Sequence, residues 1–375
     1  MKYRYSYTVS RLPRYMRYVL LLGLSGLASA SFAQSFAPAS TYSTGTTDSP
    51  DGVAVGDVNG DGRLDIVTAD SFGNEVSVVL GLASGGFGPP TAYVVGSGQA
   101  IPMRVALGDV NGDGRLDIVT ANANANAVAV LLGLPAGGFA PAVAYSTGPG
   151  SSPFDVSLGD MNNDGRLDVV TANFGTSTVG VLLALPGGGF APISSYSSGR
   201  GSSPTALVLI DTNGDGRLEV ITANKGSSTI GLLLGQISGG FAPVSTFSTG
   251  TTTDPVGVAV GDVNGDGRLD AVVGGNFITN TIGVLLGLAS GGFMPATSYS
   301  SGAGNGQYGL GDVALGDVNG DGRLDIVASI TRAFGENGVG VLLGQATGFV
   351  APTAYATHVY VPGSACRGEN SRYKW

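Results

Sequence analysis

One nine-residue stretch occurs six times and constrains the fold of this sequence more than any other feature. Residues 57–65 read DVNGDGRLD, and the other copies begin at Asp109, Asp160, Asp211, Asp262 and Asp317. The copies are 52, 51, 51, 51 and 55 residues apart. A period of this length is typical of propeller blades or solenoid turns, so the sequence predicts one large repeat fold.

The chemistry of the stretch indicates a metal loop. Side-chain oxygens stand at positions 1, 3, 5 and 9, and the residue at position 7 offers its backbone carbonyl. Calcium takes six to eight such oxygens, and glycine at position 6 permits the sharp bend around the ion. We therefore predict up to six Ca²⁺ ions, with these ligands: Asp57, Asn59, Asp61, Arg63 and Asp65; Asp109, Asn111, Asp113, Arg115 and Asp117; Asp160, Asn162, Asp164, Arg166 and Asp168; Asp211, Asn213, Asp215, Arg217 and Glu219; Asp262, Asn264, Asp266, Arg268 and Asp270; Asp317, Asn319, Asp321, Arg323 and Asp325.

Two other interpretations of the stretch were weighed. Asn-Gly and Asp-Gly dipeptides form hairpin turns without any metal, but such turns do not require three acids at fixed positions. An EF-hand requires glutamate at position 12, where this chain has threonine, valine or alanine. In the fourth copy Glu219 replaces aspartate and Ile210 replaces glycine. We expect the longer glutamate to misplace its carboxylate and to make this site the weakest of the six.

The first 33 residues resemble an export signal. A basic lead precedes an apolar run at residues 18–27, and small residues at 28–33 provide a cleavage site. The sequence thus predicts a signal peptide at 1–33, a propeller at 34–356 and an unstructured tail at 357–375. The mature protein is expected to be secreted, periplasmic or on the cell surface, without a transmembrane segment and as a monomer.

The charge balance also bears on the partner. Residues 34–375 hold 13 basic and 27 acidic side chains, and 18 of the acids lie in the six loops. The acidity therefore belongs to the predicted ion sites. A nucleic-acid partner is excluded because the sequence contains no basic stripe.

The pattern between loops predicts four short strands per repeat. In the second copy, residues 104–110, 116–121 and 127–134 form three strands, and a fourth carries Phe139, Pro141 and Tyr145. Proline favours an edge strand, so the fourth is expected to be outermost. We predict an all-β fold, a β-propeller of six four-stranded antiparallel blades, each with a calcium loop between strands one and two. A parallel β-helix has a much shorter period.

An additional outer-strand pattern precedes the first complete repeat, at Phe36, Pro38 and Tyr42. We expect residues 36–44 to pair beside the last blade and to help close the ring.

These residues also suggest a relationship to a known family. The strings GDVNGDGRLDIV and GGF-x-P resemble FG-GAP or VCBS repeats, which build the head propeller of integrin α-subunits and occur in many exported bacterial proteins. The resemblance covers residues 36–356 and implies that the metal loop joins the two innermost strands of a blade. It also implies an adhesion or binding role.

Catalysis finds little support in the sequence. His358 and Cys366 are the only histidine and cysteine, and both lie in the predicted tail. Nine acids outside the loops, among them Asp155 and Asp312, form no repeated constellation. We therefore predict a non-enzymatic, secreted calcium-binding module for adhesion to an extracellular protein or glycan. The alternatives are a carbohydrate-binding lectin and a hydrolase acting on a polysaccharide.

The partner is expected to bind where the repeats differ from one another. Loops on a rigid scaffold commonly carry recognition, and here the variable ones lie opposite the metal loops. Their distinctive residues are Phe72, Arg104, Asp155, Phe174, Arg200, Lys225, Asp254, Phe277, Tyr308, Arg332 and Phe334.

Overall fold

The computed structural model describes residues 40, 42–45, 50–236, 240–275, 280–301, 308–332, 338–345 and 348–356. The predicted signal peptide and the predicted tail both lie outside these residues. Six four-stranded antiparallel sheets make up nearly all of the described chain. They confirm the predicted all-β propeller of six blades.

Each blade uses four strands in chain order, from the innermost to the outermost. The blades are β1 Pro50–Gly56, β2 Asp65–Asp70, β3 Glu75–Gly81 and β4 Phe87–Val94; β5 Pro102–Gly108, β6 Asp117–Asn122, β7 Ala127–Leu131 and β8 Val143–Ser146; β9 Pro153–Gly159, β10 Asp168–Asn173, β11 Thr178–Leu182 and β12 Ser194–Ser197; β13 Pro204–Ile210, β14 Glu219–Asn224, β15 Thr229–Leu233 and β16 Ser245–Ser248; β17 Gly257–Gly261, β18 Asp270–Gly274, β19 Thr281–Leu285 and β20 Thr297–Ser300; β21 Tyr308–Gly316, β22 Asp325–Arg332, β23 Gly338–Leu342 and β26 Thr353–Ala356. Two short strands, β24 Gly344–Gln345 and β25 Gly348–Phe349, form a small hairpin in the sixth blade.

The second blade shows how closely the sequence predicted the strands. Its first two strands begin within two residues of the expected positions, and the third is three residues shorter at its end. The outer strand excludes Phe139 and Pro141. Phe139 instead forms an isolated bridge with Gly133, which places the aromatic ring against the blade before β8 begins.

The core lies between blades. All six residues of β2, β6, β10 and β14 are buried, because each of these strands has a neighbouring blade on both faces. Valine, alanine, isoleucine and leucine from adjacent blades form five shared clusters, from the first and second blades to the fifth and sixth. Strands rich in small β-branched residues therefore hold the blades together by mutual burial.

A repeated aromatic contact joins the blades at the rim. In five cases the aromatic ring of one outer strand meets the phenylalanine of the next blade edge-on, and in the sixth Tyr42 of the N-terminal segment meets Phe87 of the first blade. The centroids are 5.0–5.4 Å apart in all six cases. The pairs are Tyr42–Phe87, Tyr93–Phe139, Tyr145–Phe190, Tyr196–Phe241, Phe247–Phe293 and Tyr299–Phe349. Edge-to-face geometry is favourable for aromatic rings. We call these contacts the rim pairs.

The rim pairs explain the second glycine of the GGF strings. Gly137 and Gly138 both have positive φ, at +84° and +74°, but only Gly138 lies under the preceding blade. A Cβ at Gly138 would stand 2.9 Å from the Tyr93 hydroxyl oxygen, whereas one at Gly137 would meet nothing within 4 Å.

This difference gives a matched pair of substitutions. Gly137→Ala should lower the free energy of unfolding by about 1 kcal/mol, because alanine in the left-handed region is strained. Gly138→Ala should lower it by about 2–3 kcal/mol, because it adds a clash with Tyr93. Urea titration measures both. Tyr93→Phe in the Gly138→Ala background should recover part of the loss, and equal losses for the two alanine variants would contradict this role of the rim pair.

The N-terminal segment contacts the first blade. Tyr42 packs on Phe87 as the preceding blade's tyrosine does at the other junctions, and Gly45 lies beside Ser77. The sixth blade takes its outermost strand, β26, from the C-terminal side. Residues 40 and 42–45 hold no strand, so the expected pairing beside the last blade is not seen in them; residues 36–39 lie outside the described chain.

In the described chain, a three-residue 3₁₀ turn at Lys225–Ser227 is the one helical element. None of the described helices reaches the length and apolarity that a membrane span requires.

Candidate functional site

The six acidic loops lie where the sequence placed them, between the first and second strands of each blade. Antiparallel order puts the GG turns, between the third and fourth strands, at the same end of the blades. An example of contact between them is Arg63, whose Nε donates to the carbonyl of Gly81 at 2.8 Å. The opposite end carries the turns after the second strand and the connectors between blades.

Inside each loop the first three predicted ligand positions converge. In the first loop, Asp57 Oδ1 accepts the N–H of Asp61 at 3.0 Å and Asp57 Oδ2 accepts that of Gly62 at 2.7 Å. Asn59 Nδ2 donates to Asp61 Oδ2 at 2.8 Å. The Arg63 guanidinium also contacts Asp61, so part of the loop's negative charge is already neutralised. The other five loops repeat the arginine contact.

The aspartate at position 9 is engaged differently. Asp65 is fully buried, its Oδ2 accepts the N–H of Val58 at 2.9 Å, and its Oδ1 accepts that of Gly81 at 2.8 Å. Asp117, Asp168, Asp270 and Asp325 make the equivalent two bonds. In five loops this predicted ligand therefore anchors the loop to its blade through both oxygens.

The electrostatics of these loops fit a hard cation. Burial raises the pKa of the position-9 aspartate; two backbone N–H donors lower it in part, and the carboxylates at positions 5 and 1 raise it again. A divalent cation among the three acids would relieve this like-charge repulsion. The predicted ligand atoms are all oxygens, which suits Ca²⁺.

The fourth loop departs from the other five and reverses an expectation. Glu219 Oε2 accepts the N–H of Thr212 at 2.6 Å and its hydroxyl at 2.9 Å. Its Oε1 is buried and has no hydrogen-bond partner among the described residues. Oxygens of Asp211, Asp215 and Glu219 lie within 4.8 Å of one another, a grouping that the described chain shows only here. The extra methylene, expected to misplace the carboxylate, brings it toward the other two.

A second site lies on the propeller axis. A cavity of about 590 Å³ runs between the innermost strands of all six blades. Its walls are mostly Val, Ala and Leu side chains, and its polar residues are Arg104, Asp109, Asp155, Ser157 and Asp312. Pockets of this size, apolar with a few converging polar groups, are typical of small-molecule sites.

Three charged residues line this cavity from equivalent positions of the innermost strands. Arg104 in the second blade donates from Nη2 to Asp312 Oδ2 in the sixth at 3.1 Å and contacts the carbonyl of Asp51 in the first. Asp155 in the third blade accepts the N–H of Leu207 in the fourth at 2.9 Å. We call Arg104, Asp155 and Asp312 the axial triad. Glycine stands at the same strand position in the fifth blade, where a Cβ at Gly257 would lie 2.2 Å from Asp312 Oδ1.

The variable residues that the structure describes lie in several different environments. Arg104 and Asp155 point to the axis, Phe174 stacks on Phe154 with centroids 4.5 Å apart, and Phe72 is exposed. Lys225 lies in the 3₁₀ turn; Arg200 and Asp254 lie in connectors between blades. Phe277 and Phe334 lie outside the described residues, and Tyr308 and Arg332 fall at the ends of β21 and β22.

Sequence reasoning missed Thr212 and the pairing of Arg104 with Asp312, which are 208 residues apart. Aligning the repeats strand by strand would have shown that both members of this pair occupy the same position of the innermost strand.

Comparison with known proteins agrees with the repeat pattern. The sequence model described as "FG-GAP-like repeat" matches residues 57–120, 109–171, 160–222 and 211–273. Together these matches cover more than half of the 375 residues. A search of curated protein sequences found no match.

Solved structures share the fold at low identity. A protein from Lactobacillus plantarum aligns with a TM-score of 0.57 and 16% identity, over 81% of this chain and 84% of its own. A protein from Bacteroides fragilis with the provisional name 6-phosphogluconolactonase gives 0.57 and 15%, over 83% and 84%. One with the same provisional name from Bacteroides uniformis gives 0.55 and 15%, over 82% and 84%. At such identities the likeness shows the fold alone.

These neighbours nevertheless correct two predictions. A non-enzymatic adhesion module was expected, on the grounds that the acids outside the loops form no constellation. Two propellers that match this one over more than 80% of both chains bear the name of a hydrolase instead. That expectation rested on single repeats, whereas the residues that line the axial cavity come from different blades.

Proposed function

We propose that this chain, which belongs to the FG-GAP-like repeat family, is a calcium-stabilised β-propeller hydrolase that opens a small lactone in its axial cavity. The names of the structural neighbours suggest the reaction class. The single observation that carries the proposal is the cavity of about 590 Å³ with the axial triad among its lining residues.

The charges of the cavity favour an uncharged substrate. Among the residues that line it, Arg104 is the one cation, and it is already paired with Asp312. Of the three carboxylates in the lining, Asp109 is a predicted calcium ligand, so Asp155 and Asp312 together give the lining one more negative than positive charge. A phosphorylated lactone would meet this negative field at close range, so a neutral sugar lactone is the better fit.

The triad supplies the groups that lactone hydrolysis needs. A water oxygen bonds to the lactone carbonyl carbon, and the ring carbon–oxygen bond breaks. One water proton passes to a carboxylate of the triad and then to the leaving ring oxygen, which yields a hydroxy acid. The Arg104 guanidinium has five N–H donors and can stabilise the negative charge that develops on the carbonyl oxygen.

Calcium has a structural part in this proposal. The residues that would hold it are the acids and asparagine at positions 1, 3 and 5 of each loop, the carbonyl at position 7 and, in the fourth loop, Glu219. A bound ion supplies positive charge that cross-links the ends of the two innermost strands. The donor chemistry and the orphaned Glu219 Oε1 support this assignment.

A direct assay tests the proposal. The full chain, saturated with calcium, should hydrolyse glucono-δ-lactone faster than the buffer alone, as measured by titration of the released acid. We expect a lower kcat/KM for the 6-phosphorylated lactone because of the charge argument above. Hydrolysis of both lactones at the spontaneous rate would refute the proposed function.

A further inference from the structure

The carboxylate of Glu219 is buried in the fourth loop with one oxygen left unpartnered. Glu219 has no exposed surface, and Oε1 has no hydrogen-bond partner within the described chain. A buried ionised oxygen without a partner costs several kcal/mol unless something compensates it. The surroundings of Oε1 therefore indicate which kind of ligand would compensate it.

Two further carboxylates lie close to that of Glu219. One oxygen each of Asp211, Asp215 and Glu219 lies within 4.8 Å of the others. Calcium binds oxygen at about 2.3–2.6 Å, so two oxygens on one ion are at most about 5 Å apart. The three oxygens thus already stand within the span of a single ion.

Thr212 explains why, among the six loops, only the fourth has a ninth-position carboxylate oxygen without a hydrogen-bond partner in the described chain. Its N–H and its hydroxyl both donate to Glu219 Oε2, so that one oxygen takes the whole anchoring role. The other five loops have valine or methionine at this position, and their aspartate uses its second oxygen on the N–H of a residue in or after the third strand. Glutamate is one methylene longer; its Oε1 is left without a hydrogen-bond partner in the described chain, and its carboxylate groups with those of Asp211 and Asp215.

We infer that the Thr212–Glu219 pair makes the fourth loop the tightest calcium site of this propeller, one that keeps its ion when the other five have lost theirs. This inference rests on the calcium part of the proposed function. Site affinity in calcium loops rises with the number of charged ligands that reach the ion.

Retention of calcium tests the inference without any activity assay. The full chain is loaded with calcium and dialysed against a chelator of intermediate strength, and the remaining metal is counted by mass spectrometry. About one ion per chain should remain in the wild type. Glu219→Asp should retain less than about a fifth of that, because the shorter carboxylate takes up the two-amide anchoring of the other loops.

The threonine–glutamate pair can also be introduced into the third loop, as a matched test for gain of calcium retention. Met161→Thr with Asp168→Glu transfers the pair to a loop whose anchoring is otherwise the same. This double variant should retain about two ions per chain, whereas Asp168→Glu alone should retain about one. Folding is checked by the melting temperature in millimolar calcium. We expect Glu219→Asp to fold, because the other five loops of this chain carry aspartate at the same position.

Failure of this inference can be told apart from failure of the proposed function. If titration at millimolar calcium counts several ions but Glu219→Asp retains as many as the wild type, the inference is wrong and calcium binding stands. Complete loss of metal from the wild type under the same dialysis would also overturn it. If no ion binds at millimolar calcium, the inference and the calcium part of the proposal both fall, while the lactone assay still tests the axial site.

Discussion

Removal of calcium should lower the melting temperature of this protein by well over ten degrees. A dissociation constant of about 0.1 mM gives each loop about 1.4 kcal/mol of stabilisation at 1 mM calcium, and six independent loops give about 8 kcal/mol. That sum rivals the whole stability of a typical domain. For a chain of this size, 1 kcal/mol corresponds to roughly 2–4 °C.

Differential scanning calorimetry with and without EDTA measures this effect. The physical reason lies in the loops: without a cation, three acids per loop repel one another and one of them is buried. Restored calcium should return the original melting curve, and the same concentration of sodium chloride should not. An unchanged curve in EDTA would remove calcium from the proposed function.

Loss of the axial charges should reduce turnover by about 10²–10³-fold if the cavity is the catalytic site. Arg104→Ala removes the stabilising guanidinium, and Asp312→Asn keeps the shape of the side chain but removes its charge. The two residues are directly paired, so the double variant should cost little more than the worse single one. The measurement is kcat and KM for glucono-δ-lactone.

Lys225→Ala serves as the control. Lys225 lies at the same end of the blades but outside the lining of the cavity, so kcat should stay unchanged. The Arg104–Asp312 pair is partly exposed, and its loss should destabilise the fold only modestly, which the melting temperature checks. Wild-type kcat in both single variants would exclude the axial triad from catalysis.

The sequence was sufficient for the architecture because the repeat fixes it. Proline and glycine stand at the two ends of several innermost strands, and the loop from Asp57 to Asp65 returns at nearly constant spacing, so six blades follow. Even the aromatic residue of the outer strand, noted as a pattern, has a structural counterpart in the rim pairs. Features that lie within one blade, or that repeat from blade to blade, are therefore predictable from the sequence.

Features that join distant blades were not predictable in this way. Arg104 and Asp312 meet across the axis because ring geometry brings the second and sixth blades together, and no local pattern encodes that distance. The hydrogen bonds of Glu219 were missed for a different reason. They depend on Thr212, and a position-by-position comparison treats the two substitutions as unrelated.

The predicted function failed for a more general reason. The repeat motif describes a scaffold, and the same scaffold serves enzymes and binding proteins alike. Inference from GDVNGDGRLDIV to adhesion took the role of other proteins with this motif as the role of this one. The residues of the axial triad, such as Asp155, stand at positions where the repeats differ.

The rim pairs make five successive junctions between neighbouring blades the same kind of joint. At each of them a tyrosine or phenylalanine of one blade lies over a glycine of the next, and at the sixth contact Tyr42 of the N-terminal segment lies over Gly86 of the first blade. A copy of an internal blade could therefore dock on its neighbours through the same contact. Duplication or deletion of one unit of about 51 residues would preserve each remaining joint and change only the circumference. Blade number in such a chain is thus open to change by unequal recombination. An added unit would widen the axial cavity. Its residue at the position of Arg104, Asp155 and Asp312 would at first be the same as in the blade from which it was copied.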